Sequence, residues 1–139
     1  NAAFSEIYAE YSYGERMGHP RPLCKLANWF TFPTVRTQVR ELFGDREGSH
    51  ATPAEISVTQ YAYPESARAM PHDPAAPWVR AFTDAQDYRA LYPDGRMMSD
   101  SFLASQEAGD ALVKTAAAAV VEDYRAFTAL ALDPPLGAP

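Results

Sequence analysis

Helical patterns fill this chain, and one apolar stretch, residues 23–29, stands apart from them as a buried strand. A strand leaves its backbone N–H and C=O groups unpaired unless another runs beside it. The rest of the sequence offers at most one more. That is too little sheet to close an α/β domain, so the sheet is expected to be completed by another segment or another chain.

The helical patterns carry clear starts and stops. Asn1 is a good N-cap for AAFSEIYAEYSYGERM, where small and aromatic residues recur at helical spacing until Gly18-His19-Pro20-Arg21-Pro22 breaks the run. Residues 34–43 repeat apolar side chains at Val35, Val39 and Leu42-Phe43, and a polar loop over residues 44–48 follows. Thr52-Pro53-Ala54-Glu55 has the form S/T-x-x-E with proline at the first helical position, so it reads as a capping box. The helix it opens runs over residues 53–62 and stops at Tyr63-Pro64. Residues 70–77 are too rich in proline for regular structure, residues 84–91 show a weak helical pattern, and Pro93-Asp94-Gly95 is a turn. Ser105 caps the last helix, residues 106–132, whose ALVKTAAAAVVEDYRAF is rich in good helix formers. Residues 133–139 form an irregular tail.

Several functions are excluded early. A net charge of -6 with scattered Lys and Arg does not suit a phosphate backbone. A single cysteine, Cys24, allows no internal disulfide and no cysteine-based zinc cluster. Its apolar surroundings read as those of a buried structural thiol, which fits a reducing, cytoplasmic setting. No apolar run approaches the roughly 18 residues of a membrane span.

Few residues remain to carry chemistry. His19 and His72 stand beside prolines and read as solvated loop residues. His50 differs, because a glycine-rich loop leads into it and a capped helix follows, a junction from which a polar side chain can enter a cleft. Glu55, five residues on, is explained by its cap and equally placed to face a site with His50. Trp29 suits core packing or an aromatic wall over a pocket. Asp84 and Asp87 read as solvated helix-face carboxylates.

Four segments in order resemble the C-terminal half of the creatininase (creatinine amidohydrolase) family of metal-dependent amidohydrolases. Asn1-Ala2-Ala3 is similar to the end of its N-G-H-G-G-N segment. The stretch ending Ala27-Asn28-Trp29-Phe30 is similar to a strand that closes on a pocket tryptophan. Ser49-His50-Ala51-Thr52-Pro53-Ala54-Glu55-Ile56-Ser57 resembles the signature H-A-G-x-x-E-T-S, with Tyr63-Pro64-Glu65 after it. Residues 100–109, Asp-Ser-Phe-Leu-Ala-Ser-Gln-Glu-Ala-Gly, resemble the late segment before the last helix.

The resemblance implies a three-layer α/β/α sandwich of creatininase type, of which residues 1–139 form the C-terminal part, completed by a missing N-terminal half or partner chain. It implies cleavage of a C–N amide bond, cyclic or linear, by water activated on one or two divalent ions, Zn, Mn or Fe. His50 would be the acid/base residue, Glu55 a metal ligand rather than a full cap, and Trp29 and Arg46 substrate-binding residues. Thr52-Pro53 stands where the family has glycine, and Asp45-Arg46-Glu47 where creatininase carries a second pocket tryptophan. Both argue against creatinine as substrate, and Arg46 would suit an anionic one. The family's main ligands belong to the other half, so the chain is expected to act as a processed subunit, cut at Asn1, in a hetero-oligomer with the N-terminal half of its precursor. The rival expectations are a non-catalytic structural or ligand-binding subunit of the same fold and an unrelated small α/β interaction domain.

Overall fold

A computed structural model describes residues 2–15, 24–67 and 81–132. Asn1, His19, Leu23, His72, the proline-rich stretch and the tail, read above from the sequence, lie outside them. The described residues form five α-helices: α1 (Ala2–Glu15), α2 (Pro33–Phe43), α3 (Pro53–Ala62), α4 (Ala85–Leu91) and α5 (Gln106–Leu132), with short 3-10 turns between them. The chain divides into two compact units, one of residues 28–121 and one of residues 1–27 with 122–139.

The expected α/β/α sandwich is not what forms. The described residues contain no strand, and the sole β-type pairing among them is an isolated antiparallel bridge between His50 and Met97. Residues 24–28 have no regular structure, and Trp29–Thr31 is a 3-10 turn. Leu26 is 68% exposed, and Lys25 pairs instead with Asp123 in the same unit. Lys25 and Asn28 interrupt the apolar run, and no described segment lies alongside to take up its backbone hydrogen bonds.

Helices α2 to α5 begin at local signals in the chain. Pro33 opens α2 and Gly44, at φ 56°, closes it where a side chain would be strained. Both halves of the capping box at Thr52 are made at the start of α3. Asp84 caps α4, its Oδ1 accepting from the N–H groups of Gln86 and Asp87 at 2.8 Å each. Asp87 in turn accepts from the Thr83 N–H at 2.9 Å, so this carboxylate pair organises a helix start. Ser105 Oγ accepts from the Ala108 N–H at 3.1 Å and caps α5.

In the larger unit, three stripes meet. Val35 and Phe43 of α2, Ala54 of α3, and Ala108, Leu112 and Ala116 of α5 form the buried cluster, with Trp29, Phe32, Val39, Val58 and Leu103 packed against it. Residues 108, 112 and 116 recur every fourth position and so lie on one face of α5. Small residues let α5 approach α3 closely. A Cβ at Gly109 would overlap the Ser57 carbonyl, and Ser57 Oγ donates to the Pro53 carbonyl at 2.6 Å while accepting from the Ser105 N–H at 3.1 Å.

Candidate functional site

The segment from Gly44 to Glu55 is pinned to residues 96–101 by its backbone. Ser49 N–H donates to the Met97 carbonyl at 2.9 Å and Met97 N–H to the His50 carbonyl at 3.4 Å. The hydroxyls of Ser99 and Ser101 donate to the carbonyls of His50 and Ala51. Asp100 N–H donates to the Arg46 carbonyl at 2.8 Å. Gly48, at φ 67°, lies so close to the backbone of residues 97–99 that no side chain fits there. Ala51 also takes a left-handed conformation, φ 53°, just before the cap of α3. This sharp bend leaves the His50 side chain exposed while its carbonyl accepts from the Met97 N–H and the Ser99 hydroxyl.

His50 opens onto a pocket of about 600 Å³. Trp29 and Phe30, whose rings meet edge to face at 5.8 Å, supply its aromatic part. Asp45, Glu47, His50 and Glu55 supply its acidic and imidazole groups, and Arg36 and Arg40 of α2 its cations. Trp29 therefore serves both readings given to it, since it packs against the core and lines the pocket.

Glu47 was not singled out by its sequence context. Its carboxylate is half-buried and accepts from the Ala54 N–H at 3.3 Å. Burial raises its pKa above the ordinary carboxylate value, and the nearby charge of Glu55 pushes the same way. Hydrogen bonds from Thr52 and the Ala54 N–H oppose the rise without cancelling it. A carboxylate that holds its proton more readily, in a pocket beside a histidine, is a candidate for proton transfer.

Glu55 is committed to its cap. Its Oε2 accepts from the Thr52 N–H at 3.3 Å, and its own N–H donates to Thr52 Oγ1 at 3.1 Å. Arg46 does not line the pocket; its guanidinium stands 3.9 Å from buried Asp100. The sequence signal that could have found the pocket cations was the four-residue spacing of Arg36 and Arg40, beside the stripe of Val35 and Val39.

The model of the creatininase family, described as creatinine amidohydrolase, matches residues 1–124 of the 139. The chain belongs to the creatininase family. No curated protein matches the sequence. The creatininase family is one of metal-dependent amidohydrolases, and the matched residues include His50 and the other residues that line this pocket. Among the described residues, no three His, Cys, Asp or Glu side chains gather closely enough to hold a metal ion. With Glu55 turned to its cap and Glu47 bonded to Ala54, the described donors do not form a metal centre by themselves. No helix among the described residues is long and apolar enough to cross a membrane.

Proposed function

We propose that this creatininase-family chain is part of an enzyme that hydrolyses a cyclic or linear, non-peptide amide, with His50 as its acid/base residue. The observation that carries this reading is the opening of His50, in the segment that resembles the family's signature, onto an aromatic-walled pocket shared with Glu47 and Glu55. Hydrolysis adds water to the carbonyl carbon, breaks the C–N bond and needs a proton on the departing nitrogen. His50 supplies that proton, and Glu47, with its raised proton affinity, takes one from the attacking water. Trp29 and Phe30 hold the apolar part of the substrate and keep water from its far side.

A divalent ion, Zn, Mn or Fe, belongs to this reading through the family. Its ligands would come mostly from another segment or from a second chain, the N-terminal half of the same precursor. Glu55 would join them by leaving its cap, because Pro53 and the Thr52 hydroxyl still start α3 without it. A cytoplasmic setting fits the lone Cys24. Creatinine is not the substrate proposed, since the loop before His50 carries no tryptophan.

The commitment of Glu55 to its cap favours a second reading, a ligand-binding subunit without catalysis. Native mass spectrometry with metal analysis of protein purified without chelators separates the two. The hydrolase reading expects a complex with a second polypeptide and one or two divalent ions. A lone, metal-free chain would support the non-catalytic reading.

A further inference from the structure

The charge layout of the pocket points to the class of substrate. Arg36 and Arg40 are one helical turn apart on α2 and line the same pocket as His50. Among the described residues, neither guanidinium makes a side-chain ion pair, although Asp45, Glu47 and Glu55 line the pocket too. Arg46, by contrast, already faces Asp100. Two guanidinium groups at i, i+4 present adjacent forks of donors, an arrangement suited to a carboxylate. Two of the three carboxylates in this pocket have other work: Glu47 accepts from Ala54, and Glu55 from Thr52.

We infer that Arg36 and Arg40 form an anion subsite that selects amides carrying a carboxylate. This rests on the amide-hydrolase reading of the pocket and deepens it by naming the substrate class. In such a substrate the carboxylate lies on α2, an apolar or planar group lies against Trp29 and Phe30, and the amide lies within the pocket that His50 borders. The anion also fixes which way round the substrate binds, because the acidic side chains of the pocket repel it. The pocket volume, about 600 Å³, accommodates a ligand with all three groups.

Hippurate (N-benzoylglycine) supplies an aromatic ring, an amide and a carboxylate, and N-benzoylglycinamide is its uncharged counterpart. Binding of each to the full chain is measured by calorimetry or by NMR shift perturbation at low ionic strength. Hippurate is expected to bind at least about tenfold more tightly than the amide, since hydrogen bonds to charged groups exceed neutral ones by that order. The preference is expected to shrink as salt is raised. It is expected to fall to near parity in the double variant Arg36→Gln, Arg40→Gln, and to survive in part when both are changed to Lys, which keeps charge and loses the fork. Circular dichroism of both variants checks their fold, and both residues are exposed, so it should not change. Equal binding of the two probes, no binding of either, or a preference unchanged in the glutamine variant would overturn the subsite. None of these readouts involves turnover, so the anion subsite and the hydrolase reading can fail separately.

Discussion

Glu47 shows how one half-buried side chain can be costly to the fold. Its pKa is raised chiefly because burial penalises the charged carboxylate, with Glu55 adding to the effect. A carboxyl whose folded pKa lies above its unfolded value of about 4.3 favours the fold when protonated. That contribution is present at low pH and is lost as pH rises through the interval between the two values. Glu47→Gln removes the charge and leaves an oxygen able to accept from the Ala54 N–H. Its thermal midpoint at pH 7 is therefore expected to exceed that of the unsubstituted protein, and the gain is expected to vanish below about pH 4. A variant less stable at pH 7, or a gain independent of pH, would show that hydrogen bonding outweighs desolvation here. If Glu47 serves the reaction, the same variant loses activity as it gains stability, the exchange expected of a strained functional residue.

Among the helices, the close approach of α3 and α5 ties together two segments that resemble family motifs in the sequence. Ser57 stands at the end of the signature around His50, and Ser105 and Gly109 stand in the late segment before α5. Ser57 Oγ bonds both the Pro53 carbonyl and the Ser105 N–H, and Gly109 gives it room. Alanine at 109 would gain about 1 kcal/mol of helix propensity. The opposing effect is larger, because its Cβ would overlap a backbone carbonyl that cannot rotate away. Overpacking of this kind costs about 1–3 kcal/mol, and separating α3 from α5 exposes core besides. Gly109→Ala is expected to lower the denaturant midpoint at unchanged slope, read by chemical unfolding. A neutral or stabilising result would mean that the helices are free to move apart.

For the molecule as a whole, what was legible in the sequence was local. The cap at Thr52, the stop at Tyr63-Pro64, the turn at residues 93–95 and the long α5 all depend on neighbours in the chain, and each is present. The family was legible as well, because its signature segments are short and ordered. The strand at residues 23–29 was not, since a strand is defined by a partner and an apolar run cannot name one. The site was half legible. His50 and Trp29 meet at one pocket as their motifs implied, whereas Arg46 turns to Asp100 and Glu55 to its cap. The four-residue spacing of Arg36 and Arg40 puts them on one face of α2. That they and Glu47 reach the pocket depends on the packing of α2 against the loop and α3, which is not local to the chain.

The central claim is that His50 moves the proton that lets an amide nitrogen depart. The measurement that bears on it is the rate of amine or ammonia release from a panel of carboxylate-bearing amides, made with the assembled, metal-supplied protein and with His50→Ala. The His50 side chain is exposed and its bonds to Met97 and Ser99 are made by its backbone carbonyl, so the substitution should leave the fold and its circular dichroism intact. Loss of a general acid lowers turnover by about 10²–10⁴-fold. A fall of that size with the fold unchanged is the expected result, and full turnover by His50→Ala would contradict the assignment of this pocket as the reaction centre.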